Sequence, residues 1–167
     1  MRSKIKQSRI EDYKGIIGAL LFANGVSILL FLLRYVDSGS TRYWFLIWNL
    51  ILAWLPLGFA LLLINRLKSK LWVSPVCILL TALWLAFLPN SFYLVSDLIH
   101  LQTTAEVSVL YDAVLFTSFI FNAFLFFFVS LYLIHKELLK RLGNGQTSII
   151  IAAVLFVCSF SIYLVRV

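Results

Sequence analysis

Five long apolar segments, separated by short polar stretches, leave this chain very few folds to adopt. They run over 15–33, 43–64, 71–88, 113–134 and 147–165. About 20 helical residues cross the roughly 30 Å hydrocarbon layer of a bilayer, and each segment approaches or meets that length. The segments are continuously apolar rather than alternating, which favours helices over the strands of an outer-membrane barrel. Of the 167 residues, 62% are hydrophobic and only 13% charged. A water-soluble domain is usually about a quarter charged. The expectation is therefore an all-α, polytopic transmembrane bundle filling residues 1–167 as one integral membrane domain, with no separate soluble domain. Basic residues precede the first segment as they would in a signal peptide. Its apolar run is longer than a usual signal core and no small-x-small cleavage site follows, so it is read as a retained span.

The net charge of +7 would suggest nucleic acid if the chain were soluble. Here the cations lie between apolar segments, so membrane orientation accounts for them and no nucleic-acid partner is expected. Arg2, Lys4, Lys6, Arg9 and Lys14 precede the first span, Arg66, Lys68 and Lys70 follow the second, and Lys136, Lys140 and Arg141 follow the fourth. The opposite side carries only Arg34, Arg42 and Arg166, so eleven cations face three. The side richer in Lys and Arg stays inside, which puts the N-terminus in the cytoplasm and the C-terminus outside. Cys77 and Cys158 both fall within apolar segments without a CxxC partner and read as inert small hydrophobes. Gly143-Asn144-Gly145 marks a tight turn before the last span.

Ionisable groups break the apolar pattern most sharply in LPNSFYLVSDLIHL, from Leu88 to Leu101. Charge near a bilayer is costly and points to function by default. Pro89 should end or kink the third helix. The chain beyond it stays apolar, which predicts a short interfacial or re-entrant helix after the third span. At about 100° per residue, Tyr93, Asp97, His100 and Thr104 form one polar stripe with Asn90 at its edge. Asp97 and His100, one turn apart, could share a proton, hold one divalent metal ion or simply hydrogen-bond to pin the loop. Two ligands do not make a metal site, and Glu106, Asp112 or Asn49 would have to supply the rest. Glu106 also reads as a solvated loop residue. Asp112 follows Tyr111 at the start of the fourth span and is expected either to cap that helix or to join the outer site. Asn24, Asn49 and Asn122 lie inside spans, where amides usually hydrogen-bond between helices. Pro56 should kink the second helix, and Pro75 suits the first turn after Ser74. No phosphate loop, nucleophile elbow or zinc-protease motif occurs.

LPNSFYLVSDLIHL, preceded by WNLILAWLPL and followed by Tyr111-Asp112, resembles a bacterial family of uncharacterised integral membrane proteins, domain of unknown function 1361. The similarity extends from the second span to YLVR near the C-terminus. The family pattern falls on Asn49, Pro89, Asn90, Tyr93, Asp97, His100, Tyr111 and Asp112. It implies a protein of the bacterial cytoplasmic membrane and no particular activity, known cofactor or ligand set. Members often carry proline where Phe92 stands, and their pattern continues beyond the YLVR segment, so the chain is expected to be a shortened member or a fragment. The leading expectation is a protein that binds or transports a small ligand or ion at an extracytoplasmic pocket. Its candidate residues are Asn49, Asn90, Tyr93, Asp97, His100, Tyr111 and Asp112, with Asp97 and His100 as the metal candidates. The alternatives are an enzyme acting on a lipid-linked substrate at the outer leaflet, with His100 as base, and a scaffold subunit of a membrane complex. With so few spans, self-association or a membrane partner subunit is expected alongside the lipid bilayer itself.

Overall fold

A computed structural model describes the backbone of residues 2–101 and 108–166, with side chains from Lys14 onward except 162 and 164–166. The described residues form helices and short connections, with no strand among them. Helix α1 covers Arg2–Ser38, α2 Trp44–Arg66, α3 Pro75–Phe87 and α4 Asn90–Ser96. A single 3-10 turn, Asp97–His100, follows α4. Helix α5 covers Val109–Leu139 and α6 covers Asn144–Arg166. Five stretches are long and apolar enough to cross a membrane: Lys14–Ser38, Trp44–Arg66, Pro75–His100, Val109–Leu139 and Asn144–Ser161. The chain is thus a multi-pass membrane protein.

Helix α5 organises the bundle. It packs against α1, α2, α4 and α6, while α3 packs mainly against α2. Its buried positions include Asp112, Phe116, Phe119, Ala123, Phe126, Ser130, Leu133 and Glu137. That alternation of four and three residues places one face of a helix continuously against its neighbours. The same spacing recurs on α1 through Leu20, Asn24, Ser27, Phe31 and Arg34, and on α2 through Leu46, Leu50, Ala53, Leu57 and Ala60. Lipid is as apolar as leucine, so such faces are held by close packing and interhelical hydrogen bonds rather than by escape from water. Trp54 stacks on Phe126 at 4.4 Å between ring centroids, and Phe92 meets Phe127 at 4.6 Å.

Polar groups join α1 to α5 at mid-bundle. The Asn122 amide donates to the Ala23 carbonyl at 3.1 Å and to Ser27 Oγ at 2.6 Å, and Ser27 donates to Ser118 at 3.0 Å. Asn24, by contrast, donates within its own helix, to the Leu20 carbonyl. Of the intramembrane amides on this seam, Asn122 therefore bridges helices and Asn24 does not.

Several boundaries move from those the sequence suggests. The first span does not stop at Leu33: the helix runs to Ser38, where Gly39 takes φ +62° and its N–H closes on the Tyr35 carbonyl. Arg34 therefore lies inside the helix and inside the bundle, not on the flank where a count of loop cations places it. The third span starts at Pro75, after Ser74, rather than at 71. Leu88 and Pro89 keep right-handed helical dihedrals, so the short helix expected after this span follows almost without interruption, and the membrane-length stretch extends to His100. Pro56 sits inside a continuous α2. Asn144 and Gly145 already belong to α6, so the turn before it is confined to residues 140–143.

If Asn122 ties α1 to α5, Asn122→Ala should destabilise the detergent-solubilised protein by about 1 kcal/mol. Asn24→Ala, which removes only a bond within α1, should cost less. Denaturation curves of the two variants check this, and the reverse ranking would refute the assignment.

Candidate functional site

The C-terminal end of α1, the N-terminal ends of α2 and α5, and the 3-10 turn carry three described carboxylates; Asp37 is exposed near the end of α1, and the other two lie in unlike surroundings. The first of these two is Asp112, on the first turn of α5. It does not cap that helix. Ser108 does, its hydroxyl accepting from the Tyr111 N–H at 3.3 Å. The heptad spacing of α5 instead turns Asp112 inward onto α1. There Arg34 Nε donates to Asp112 Oδ1 at 2.7 Å, and Nη2 reaches Oδ2 at 3.4 Å. The side chains are 1% and 0% exposed, so neither charge is solvated. Arg34 Nη1 also donates to Ser38, and the guanidinium carbon lies 4.3 Å from the centroid of the Tyr43 ring. The Tyr43 hydroxyl feels the Asp112 carboxylate but makes no hydrogen bond of good geometry. Tyr111 leans the same way and donates to the Leu30 carbonyl of α1 at 2.8 Å.

The second carboxylate is Asp97, at the start of the 3-10 turn and half-buried. Its partner is neutral: Asn49 of α2 donates Nδ2–H to Asp97 Oδ2 at 2.6 Å. His100 closes the turn and is exposed, with its ring edge against Phe45 at 5.5 Å. Asp97 and His100 are near enough to interact electrostatically but make no hydrogen bond. Residues three apart eclipse in a 3-10 turn, so the two groups stay on one side of it. Asn90 and Tyr93, half-buried on α4, hydrogen-bond to neither carboxylate.

The candidate residues therefore divide into two groups. Asn49, Asp97 and His100 gather between α2 and the 3-10 turn. Tyr111 and Asp112 are drawn to α1. A wedge of rings separates them: Tyr43 meets Phe116 at 4.9 Å, and Phe45 touches both Phe116 and His100. Thr104 and Glu106 lie outside the described residues. Among the described residues no three His, Cys, Asp or Glu side chains converge as metal ligands would. Asp97 and His100 could supply two donors, with no third His, Cys, Asp or Glu beside them among the described residues.

Sequence reasoning passed over Arg34. It closes an apolar run and looks like a flanking cation. The signal was its register, since Leu20, Asn24, Ser27, Phe31, Arg34 and Ser38 recur at alternating four- and three-residue spacing.

Breaking the buried pair from one side leaves an uncompensated charge, which typically costs about 3–5 kcal/mol. Arg34→Leu should lose about that much, and Arg34→Leu/Asp112→Leu should regain most of it, as read from unfolding in detergent. A double variant no better than the single one would show that the two charges are not coupled.

Residues 48–167 match a family model described as a protein of unknown function, DUF1361. No curated protein and no solved structure matches the chain.

Proposed function

Because the chain belongs to the DUF1361 family, whose description names no activity, we propose from the site alone that the protein binds a small cationic or hydrogen-bond-donating ligand at Asp97. The contrast between Asp97 and Asp112 carries this reading. Asp112 is sealed and neutralised by Arg34, an arrangement that serves structure. Asp97 stands in a membrane-length helical stretch with only an amide on one oxygen and an exposed imidazole nearby. A carboxylate held in an apolar segment without an ammonium or guanidinium partner is costly, and a bound cation or proton would relieve that cost. Asn49 fixes the direction of the carboxylate, and His100 adjusts its charge. A divalent ion, a monovalent ion and a primary amine share this chemistry.

Location in the cell follows from the loops. With eleven cations on one side and, once the buried Arg34 is set aside, Arg42 and Arg166 on the other, the N-terminus is cytoplasmic and the Asp97 end faces out. In this reading the protein sits in a bacterial cytoplasmic membrane, and ligand arrives from the extracytoplasmic side. Binding, rather than catalysis, is preferred because Asp97 carries a neutral amide on one oxygen and makes no hydrogen bond to His100 that would orient it as a base.

One observation favours a second reading. His100 is exposed at the end of an apolar helical stretch, where a general base could meet a lipid-linked substrate at the outer leaflet while Asp97 orients it. Mass-spectrometric lipid profiles of a deletion strain distinguish the two readings, since accumulation of one lipid-linked species would favour the enzyme.

For the binding reading, the purified protein should be heated in the presence of Na+, Mg2+, Zn2+ or ethanolamine. At about 100 times its dissociation constant, a ligand adds roughly 2.7 kcal/mol to stability. At least one probe should raise the unfolding midpoint of the wild type and leave that of Asp97→Asn unmoved. Equal shifts in both proteins, or none in either, would exclude Asp97 as the ligand site.

A further inference from the structure

The other end of the bundle, where α2 and α5 finish, brings together two basic segments far apart in sequence. The connection from α2 to α3 carries Arg66, Lys68 and Lys70, all exposed. The end of α5 carries Lys140 and Arg141. Arg141 joins them: its Nη2 donates to the Leu67 carbonyl at 2.9 Å, and its guanidinium carbon lies 5.8 Å from the Trp72 ring centroid. Glu137, 8% exposed, is an acid at this end. It already accepts from both Lys140 and Arg141. It therefore holds the tie between the loops, and its ion pairs are with the α5 side and not with the cations of the α2–α3 connection.

That connection is also apolar where it need not be. Leu71 and Val73 are 76% and 80% exposed, yet both precede the helix that starts at Pro75. Two lysines are thus followed directly by two large aliphatic side chains within one short exposed stretch. Trp72 between them is anchored, its indole N–H donating to Thr81 Oγ1 at 3.0 Å. Cations beside bare aliphatic groups at the mouth of membrane spans suit the boundary between headgroups and acyl chains. A soluble phosphate would use the cations and ignore Leu71 and Val73.

We propose that the α2–α3 connection, braced by Arg141, is a binding site for an anionic phospholipid. Arg66, Lys68 and Lys70 take the headgroup phosphate, and Leu71 and Val73 enter the acyl layer. Basic residues near a membrane surface attract anionic lipid, and the effect grows with each added charge. Orientation alone needs only a count of cations. The bridge from Arg141 to Leu67 and the exposed aliphatic pair are features that such a count does not require.

The test uses the full chain in detergent, where insertion orientation no longer matters. Phosphatidylglycerol and phosphatidylcholine are titrated separately, and bound lipid is read by native mass spectrometry. The wild type should retain phosphatidylglycerol in clear preference to phosphatidylcholine. R66Q/K68Q/K70Q should weaken that binding about tenfold or more, and L71S/V73S should weaken it with every charge intact. Circular dichroism checks that both variants keep their helices, and the second, which is charge-neutral, carries the test if the first does not fold. Equal retention of the two lipids by the wild type would overturn the proposal. So would unaltered binding by the folded variants. Displacement of the lipid by soluble glycerol phosphate at similar concentration would also overturn it, because the site would then recognise phosphate and not a membrane lipid.

Discussion

Arg34 and Asp112 set the terms for the rest of this bundle. Two full charges with no water around them can persist only where each exactly offsets the other, since stripping an ion of its hydration costs several kcal/mol. The fork from one guanidinium to both carboxylate oxygens supplies that offset. It also fixes the rotation and depth of α1 against α5, because a shift of one residue would bury an unpaired charge. The seam below it, from Tyr111 to Asn122, then falls into register. Above it, Tyr43 covers the guanidinium as the chain turns from Gly39 into α2.

Placing the pair on α1 and α5 has a consequence for Asp97. With Arg34 committed to Asp112, and rings of Tyr43, Phe45 and Phe116 between, no guanidinium from α1 is held against the second carboxylate. Asp97 and Asp112, two of the three described acids at that end of the bundle, are thereby left in different surroundings. One is locked and serves architecture. The other is half-buried at the 3-10 turn, with Asn49 donating to one of its oxygens. The two ends of the molecule also differ in sign. Buried Asp112, half-buried Asp97 and exposed Asp37 stand at one end, and exposed cations beside aliphatic side chains mark the other. A membrane with unlike surfaces would be met by each end in a different way.

The sequence by itself determined that the chain is helical, that it crosses a membrane several times, and which apolar runs form the five membrane-length stretches, though the third extends well past Leu88. These follow from local properties: the length of apolar runs, the backbone's need to satisfy its own hydrogen bonds in lipid, and the distribution of Lys and Arg. The polar string around Asp97 and His100 was legible for the same reason, because a charge inside an apolar run is visible without knowing its neighbours. Tertiary structure alone decided which polar groups meet. Asn49 and Asp97 are 48 residues apart, Arg34 and Asp112 are 78, and Arg141 and Leu67 are 74. A helix faces its partners through every third or fourth residue, so an error of one residue, about 100° of rotation, sends a side chain to lipid or to the core. That is why Asp112 reads as a cap and Arg34 as a flanking cation in one dimension, while in three they are a single buried bond.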